Sequence, residues 1–267
     1  ARVVVGTTDP NPHHAGVGLR TLRAAGMEVR QGVARAPCLD LIAPFRKWVT
    51  TGRPYLTLKL GLSLDGRIAD REGRSRWITG PASRDRVQDL RRRCDAILVG
   101  AGTLRADNPS LLPRPGRGRR PMRVILAGRE PPPFDLKVFT DQAASRTLVM
   151  IPESARRRWA GCPCEVLPVA ASAGGRVDAE AALTELGRRE QLHVLCEGGG
   201  EVAAALVRAR AVDAFELFLA PCLIGGRGAT PAIGGEGWGM GHLPRLQVVR
   251  SRTCGTDLWI QAKPLKE

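Results

Sequence analysis

Apolar and polar positions along the chain follow two periods, one typical of strands and one typical of helices. From Tyr55 to Ser63, apolar residues alternate with polar or small ones, which is the pattern of a strand with two unlike faces. Continuous apolar runs such as 96–99 and 147–151 are typical of strands buried in a parallel sheet. Strands are predicted at 3–5, 27–29, 55–63, 96–99, 123–127, 147–151, 165–167, 192–196, 214–220, 246–252 and 257–262.

Helically spaced apolar residues fall between these strands. Helices are predicted around Leu19 and Leu22, and at 82–93, 104–107, 179–190 and from residue 200 onward. The alternation of strands and helices predicts an α/β fold, and the closing pair 246–252 and 257–262 reads as an antiparallel edge hairpin, so the sheet is expected to be mixed. Residues 1–33 are predicted to form a strand–helix–strand piece. Residues 34–51 are predicted to be connecting chain, because Pro37 and Pro44 interrupt them.

A glycine-rich stretch joins a predicted strand to a predicted helix at residues 192–207. Glu197 follows the apolar run, and Gly198, Gly199 and Gly200 come next. Glycines let a ligand approach the backbone, and a helix N-terminus attracts anions such as phosphate. The pattern Gly198-x-Gly200-x-x-Ala203 also passes weakly for a dinucleotide fingerprint, but it lies late in the chain. We therefore predict a phosphate cradle in another α/β fold, and a turn that only packs stays open as the alternative.

Two further positions suggest a binding cleft. Lys59 lies in the middle of a predicted strand, where its amine either reaches out to water or faces a cleft. The helix at 82–93 is predicted to begin with Thr79 as its cap, and it ends in the run Arg91 to Arg93. A solvated helix end is the plain alternative for that run.

Charge and composition narrow the class of partner. The formal net charge of +15 favours anionic partners, either nucleic acid or small phosphorylated ligands. Aromatic residues make up only 4% of the chain, so the stacking platforms of a single-strand binder are scarce. No apolar run reaches the roughly 18 residues of a membrane span. Seven cysteines without framework spacing predict reduced thiols, a cytoplasmic protein and no metal site.

Five motifs occur together in an order and spacing that are specific to one family. They are Leu58–Arg67, Ser75–Gly80, Asp95–Pro109, Glu197-Gly198-Gly199 and Ala220–Gly226. From about Arg53 onward the chain resembles the reductase domain of the bifunctional riboflavin-biosynthesis deaminase/reductase. Residues 1–45 resemble the last part of the deaminase domain with its linker, and 46–267 the reductase domain. The deaminase's zinc-binding His-x-Glu and Pro-Cys-x-x-Cys pattern is missing, so we expect neither zinc nor deamination from the chain as given.

The resemblance implies a dihydrofolate-reductase-like fold and a homodimer. It also implies NADPH-dependent reduction of the ribosyl group of 5-amino-6-(5-phosphoribosylamino)uracil to a ribityl group. By resemblance, NADPH contacts Leu62, Trp77, Thr103, Asp107, Gly128, Gly199, Gly200, Glu201, Val202, Ala203, Ala204 and Ala205. The substrate contacts Ser75, Arg91, Leu111, Arg114 and Glu197.

Lys59 and Glu197 are predicted to be the catalytic pair. We expect both side chains to face the substrate ribose, with Lys59 donating to a sugar oxygen and Glu197 accepting from hydroxyls and helping to deliver a proton. A purely structural ion pair between them is the alternative. The rival functions are another pterin or pyrimidine reductase of the same fold and, from a different class, a basic nucleic-acid-binding module.

Overall fold

The computed structural model describes residues 1–116 and 118–265 and divides into two compact units. The first consists of Ala1–Tyr55 with Leu183–Leu192, and the second of Leu56–Ala182 with the described residues from His193 onward. The proposed domain boundary between residues 45 and 46 stays a prediction.

The first unit contains a parallel strand pair and three short helices. Its elements are β1 (Arg2–Val5), α1 (Val17–Ala24), β2 (Glu28–Gln31), α2 (Arg35–Leu41) and α3 (Ala43–Thr51). Strand β1 pairs in parallel with β2, which confirms the strand–helix–strand prediction for residues 1–33.

The prediction of connecting chain at 34–51 is wrong, because α2 and α3 occupy most of it. Both prolines lie in a first helical turn, Pro37 as the third residue of α2 and Pro44 as the second residue of α3. Backbone N–H groups in a first turn have no partner within the helix, so proline is tolerated there.

The second unit contains one large sheet with helices beside it; β3 begins, and α7 ends, with residues that belong to the first unit. The strands are β3 (Tyr55–Ser63), β4 (Arg67–Ala69), β5 (Ala96–Gly100), β6 (Met122–Leu126), β7 (Thr147–Pro152), β8 (Glu165–Val169), β9 (His193–Cys196), β10 (Ala214–Ala220), β11 (Thr230–Pro231), β12 (Leu246–Cys254) and β13 (Asp257–Pro264). The helices are α4 (Pro81–Arg91), α5 (Ala101–Asp107), α6 (Lys137–Thr140), α7 (Ala179–Arg188) and α8 (Gly200–Arg208). Short 3₁₀ segments lie at Ala144–Arg146, Glu153–Trp159 and Met240–His242.

The large sheet has nine strands in the order β12-β13-β10-β3-β9-β5-β6-β7-β8. Strands β9, β5, β6, β7 and β8 pair in parallel, and so do β3 and β10. Strand β13 is antiparallel to both β10 and β12, which places the closing hairpin at the sheet edge. The predicted mixed α/β sheet and its edge hairpin are confirmed. A separate antiparallel pair, β4 with β11, was not predicted.

Central strands and the helices beside them form the core. Ile97 and Val99 of β5, Ile125 of β6 and Leu104 of α5 have no exposed surface, and Trp159 has 1%. Burial of such side chains contributes about 1.5–3 kcal/mol each, so this face of the sheet is a rigid support for the loops at its edge.

A distant carboxylate orders the start of α4. Thr79 was predicted to cap this helix, and that prediction is wrong, since Gly80 is the N-cap residue and has no side chain to use. Asp257, buried at the start of β13, instead accepts hydrogen bonds from Gly80 N at 2.8 Å and from Ser83 Oγ at 2.5 Å. Thr79 packs toward β3, with its Cγ2 3.2 Å from where a Cβ on Gly61 would lie.

Another carboxylate ties the turn after β3 to the loop after β10. Asp65 accepts from Ser63 Oγ at 2.7 Å, from Ile224 N at 3.0 Å and from Gly225 N at 2.8 Å. These hydrogen bonds, led by the one from Ser63, lower the pKa of Asp65 to about 2. Two of the family-like motifs in the sequence therefore meet here. Over residues 1–116 and 118–265, no helix has both the length and the apolar character needed to cross a membrane.

Candidate active site

A cavity of about 660 Å³ lies where β5 and β9 end and runs across the middle of β3. Its volume lies within the range of ligand pockets, and carboxyl ends of parallel strands are where α/β sheets bind ligands. Helices α5 and α8 both begin at this edge, since each follows directly after β5 or the turn that leaves β9.

Three charged side chains meet in the cavity wall. Glu197 follows β9, Arg91 is the last residue of α4, and Lys59 lies in the middle of β3. Arg91 donates two hydrogen bonds to the Glu197 carboxylate, from Nε to Oε1 at 2.6 Å and from Nη2 to Oε2 at 3.0 Å. The Lys59 Nζ lies 3.6 Å from Glu197 Oε2. Glu197 is only 8% exposed, Arg91 15% and Lys59 19%, so the trio is shielded from bulk water.

The two cations keep Glu197 ionised. Burial alone would raise the pKa of Glu197, but the charges of Arg91 and Lys59 and the hydrogen bonds from them lower it to about 2. For Arg91 the loss of solvent opposes protonation, yet the carboxylate outweighs this and raises the pKa of the guanidinium. At neutral pH the wall therefore carries a carboxylate that accepts hydrogen bonds and does not hold a proton.

Two thiols close to Glu197 are unreactive at neutral pH. Burial, with the nearby carboxylate, raises the pKa of Cys94 to about 12, and burial raises that of Cys196 to about 12. Cys94 Sγ donates to the carbonyl oxygen of Arg91 at 3.3 Å. Both sulfurs therefore stay protonated, and neither is a nucleophile at neutral pH.

The three glycines after Glu197 have different surroundings. A Cβ on Gly198 would meet Val202 at 2.9 Å, and one on Gly200 would meet the Pro231 carbonyl oxygen at 2.5 Å. These two glycines are needed for packing. A Cβ on Gly199 would meet only Thr103 Oγ1, at an ordinary 3.6 Å, although Gly199 lines the cavity. The turn thus packs through two glycines and leaves the third, the N-cap of α8, open to the cavity.

A second turn lines the cavity beside the first. At the start of α5, a Cβ on Gly102 would meet nothing within 4 Å, and Thr103 is the next residue in the wall. At the other end of α5, Asp107 Oδ1 accepts from Ser75 Oγ at 2.7 Å. The guanidinium of Arg76 also hydrogen-bonds to the Asp107 carbonyl oxygen.

An exposed indole stands at the mouth of the cavity. Trp77 is 70% exposed, and the Arg84 guanidinium lies over its ring, 4.5 Å from the centroid. Arg84 also donates from Nη1 to the Thr79 carbonyl oxygen at 2.6 Å. This stack fixes the indole at the entrance.

The loop that leaves α5 supplies the last part of the wall. Leu111 is buried and has a φ of 56°, which is uncommon for a branched residue and holds the loop in a sharp bend. The next residue's carbonyl oxygen, that of Leu112, accepts from Arg91 Nη1 at 3.2 Å. Arg114 is more accessible, with a side chain that is 61% exposed and 2.6 Å from Asp85 Oδ1.

Most of the residues predicted for the site line this one cavity. They are Lys59, Ser75, Trp77, Arg91, Thr103, Asp107, Leu111, Arg114, Glu197, Gly199, Gly200, Glu201 and Val202. Lys59 and Glu197 form an ion pair, and both also line the cavity. The structure therefore contains the structural ion pair as well as the arrangement expected of a pair that faces the substrate. Glu201 is in the wall, but its carboxylate binds Gly235 N at 3.1 Å and Arg176 Nη1 at 2.7 Å.

Five predicted contacts are not in the cavity wall: Leu62, Gly128, Ala203, Ala204 and Ala205. Leu62 is an odd number of residues from Lys59 on β3, so its side chain projects from the opposite face. Ala203 and Ala204 are buried along α8, whereas Ala205 is exposed. Gly128 lies after β6, where its carbonyl oxygen accepts from Trp159 Nε1 at 3.2 Å.

Sequence reasoning gave no role to several residues of the wall. Arg84 and Gly102 are there, and so are Ile68 of β4 and Pro231 of β11. Gly102 had a usable signal, because it belongs to a second glycine-rich turn between strand and helix. The two very short strands carried no such signal. In the described part of the chain, no group of three or more His, Cys, Asp or Glu residues could hold a metal ion.

Known proteins match the part of the chain that forms the cavity. A protein-family model described as the RibD C-terminal domain matches residues 54–260. The riboflavin biosynthesis protein RibD of Bacillus amyloliquefaciens is 37% identical over 265 residues, which cover 98% of this chain and 71% of that protein. The RibD of Actinobacillus pleuropneumoniae is 34% identical, and the match covers 88% of this chain and 63% of that protein.

A solved structure with the same fold comes from Thermotoga maritima. It is described as a diaminohydroxyphosphoribosylaminopyrimidine deaminase/5-amino-6-(5-phosphoribosylamino)uracil reductase. It superposes with a TM-score of 0.84 at 30% identity, and the match covers 99% of this chain and 71% of that one. The curated relatives and the solved structure are thus longer than this chain, and the family-model match at 54–260 includes its whole cavity.

Proposed function

The chain belongs to the RibD C-terminal domain family, and we propose that it reduces the ribosyl group of 5-amino-6-(5-phosphoribosylamino)uracil to a ribityl group with NADPH, in riboflavin biosynthesis. The observation that carries this proposal is the buried trio of Lys59, Arg91 and Glu197 beside an open glycine turn in one cavity. The trio offers donors and an acceptor for a sugar, and the turn offers backbone N–H groups for an anion.

The open glycine turn suits the phosphates of a dinucleotide. Gly199 and Gly102 leave free space where other residues would place a Cβ, and both line the cavity. The N-terminus of α8 adds a partial positive charge at the same place. We propose that Gly199, Gly200, Val202 and Thr103 hold the cofactor there. When bound, NADPH supplies the hydride for the reaction.

The reduction needs a proton as well as a hydride. In the ring-opened imine the hydride is added to the first carbon of the sugar, the C=N double bond becomes a single bond, and the proton goes to the nitrogen. Glu197, with a pKa of about 2, holds almost no proton at neutral pH, so we propose that it accepts hydrogen bonds from the sugar hydroxyls. Lys59 is the donor of the pair, and we propose that its ammonium group orients the sugar and delivers the proton.

The substrate phosphate is assigned to Arg91 and Arg114. A guanidinium has five N–H donors, and three N–H groups of Arg91 already go to Glu197 and to the Leu112 carbonyl oxygen. Arg91 therefore positions Glu197 and keeps two donors for the substrate phosphate. The side chain of Arg114 lies at the open edge, and over the described residues it pairs with the exposed Asp85, so it is free to exchange Asp85 for the phosphate.

A comparison of substrates tests this proposal. We expect NADPH oxidation with 5-amino-6-(5-phosphoribosylamino)uracil, a much lower kcat/KM with the dephosphorylated compound, and no turnover of dihydrofolate. Equal rates with and without the phosphate would refute the role of Arg114. Turnover of dihydrofolate alone would favour another reductase of this fold. The homodimer implied by the family is also proposed, and its mass in solution tests it separately.

A further inference from the structure

A fully buried arginine lies behind the loop that completes the cavity wall. Arg123 is the second residue of β6, and its side chain has no exposed surface. It shares a face of β6 with Ile125, which packs in the core beside residues of α4 and α5. A charged side chain in this position needs partners, and its partners show which parts of the chain it holds together.

The guanidinium of Arg123 donates to oxygen atoms from three parts of the chain. Nη1 donates to the Ser110 carbonyl oxygen at 3.2 Å and to Asp141 Oδ2 at 2.7 Å. Nη2 donates to the Val138 carbonyl oxygen at 3.0 Å, and Nε donates to Thr147 Oγ1 at 2.9 Å. The residues at 138 and 141 belong to α6 and its C-cap, and the residue at 147 begins β7. The remaining contact ties the loop after α5 to this buried charge.

The loop after α5 is held on both sides of its bend at Leu111. The Ser110 carbonyl oxygen accepts from Arg123, and the Leu112 carbonyl oxygen accepts from Arg91 Nη1 at 3.2 Å. Leu111 has a φ of 56°, a backbone conformation that a branched residue keeps only where its surroundings hold it. Ser110 and Leu111 both line the cavity. One arginine of the site and one arginine behind it therefore fix this part of the wall.

The hydrogen bond to Ser110 is better explained by the shape of the wall than by stability. Removing an arginine from water is costly, and a well-packed apolar side chain often gives a buried position as much stability as an ion pair does. An apolar residue at position 123 would leave the Ser110 carbonyl oxygen without this donor. The guanidinium therefore supplies a fixed direction for the loop where the loop enters the cavity wall.

We propose that Arg123 is a positioning residue for the substrate: by holding the Ser110 carbonyl oxygen, it maintains the bend that presents Leu111 to the phosphorylated pyrimidine. This inference rests on the proposed function and on the substrate contact that the family resemblance implies for Leu111. Arg123 itself is not part of the cavity wall, so it acts through the loop. The glycine turns assigned to the cofactor lie on other segments of the chain, so we expect an effect on substrate binding and not on NADPH binding.

Steady-state kinetics of Arg123→Lys, with NADPH binding measured separately by calorimetry, test the proposal. The lysine keeps the charge opposite Asp141 but cannot reproduce the planar fork that reaches Asp141 and Ser110 together. We expect the KM for 5-amino-6-(5-phosphoribosylamino)uracil to rise about 10-fold, while kcat stays within about threefold and the Kd for NADPH within about twofold of the parent. A residue that only supports the core would lower the folded fraction and leave this KM unchanged.

Thr147→Val is the matched control, because it removes an acceptor of the same guanidinium and leaves the hydrogen bond to Ser110 in place. It should lower the Tm without changing KM. If Arg123→Lys does not fold, Asp141→Asn takes its place, since it weakens the other contact of Nη1 at a partly exposed position, and its KM should rise about threefold. A parent-like KM in the folded variant, or an equal rise in KM for Thr147→Val, would overturn the inference.

Failure of the proposed function would give a different result. The parent protein would then neither bind nor reduce the phosphorylated uracil, and the role of Arg123 would fail with it. Normal turnover by the parent protein, together with an unchanged KM in Arg123→Lys, would contradict only the role of Arg123.

Discussion

Replacing Glu197 by glutamine is expected to cost both stability and activity, because this carboxylate is shared by two poorly solvated cations. The substitution Glu197→Gln keeps the size of the side chain but removes the charge that faces Arg91 at 2.6 Å and Lys59 at 3.6 Å. The two cations would then repel each other without compensation. Breaking a buried ion pair from one side typically costs about 3–5 kcal/mol.

The lowered pKa of Glu197 gives a second value for the stability that this carboxylate contributes. A value of about 2, against 4.5 for an ordinary glutamate, corresponds to about 3 kcal/mol in favour of the ionised form. In a domain of this size, that loss lowers the Tm by about 6–12 °C. At temperatures where the variant is folded, we expect kcat/KM to be lower by about two decades, since the sugar hydroxyls lose their acceptor.

Thermal unfolding at pH 7 and steady-state kinetics on the same samples measure both effects. Glu201→Gln is the matched control, because that carboxylate is also near the start of α8 but is 59% exposed and pairs with the exposed Arg176. An exposed pair contributes less than about 1 kcal/mol, so its Tm should change little. A Glu197→Gln protein that melts with the parent would refute the electrostatic argument. Full activity in the folded variant would refute the role of Glu197 in the reaction.

Four other outcomes follow from the same geometry. Lys59→Met should reduce kcat/KM by about two decades with a smaller loss of unfolding free energy in urea than Glu197→Gln, because Glu197 keeps Arg91; parent-like kinetics would contradict this. Gly199→Val should weaken NADPH binding in calorimetry while the Tm stays near that of the parent, since φ is −70° and the new Cβ has room. Gly200→Val, whose Cβ would lie 2.5 Å from the Pro231 carbonyl oxygen, should instead unfold early; the reverse order would argue against the cradle. Because the pKa of Glu197 is lower in the folded state, its contribution is complete above about pH 5 and is lost as pH falls toward 2. The stability difference between the parent and Glu197→Gln should shrink over that range, and a constant difference would contradict the assignment.

Local patterns were sufficient to predict most of the elements. The alternation from Tyr55 to Ser63 corresponds residue for residue to β3, and the glycine-rich stretch at 197–200 joins β9 to α8. Proline misled the prediction at 34–51, because its effect depends on the position within a helix. Strands of two or three residues, such as β11 and β4, bury too little to leave a periodic signal.

The site required contacts that no local pattern contains. Arg91 and Glu197 are separated by 106 positions, and only the strand order brings the end of α4 to the end of β9. The start of α4 is ordered by Asp257, which is 177 positions from Gly80, and no local rule for helix caps reaches so far. Motif spacing did indicate which residues belong together, but not that Arg91 divides its donors between Glu197 and a carbonyl oxygen.

The proposed reduction is tested most directly by transfer of deuterium from NADPH labelled on the nicotinamide ring to 5-amino-6-(5-phosphoribosylamino)uracil, followed by mass spectrometry of the product. We expect one deuterium on the first carbon of a ribitylamino product with the parent protein, and a rate lower by about two decades with Lys59→Met. If the folded parent protein binds NADPH and the phosphorylated uracil but forms no deuterated ribityl product, the proposed reductase activity is contradicted.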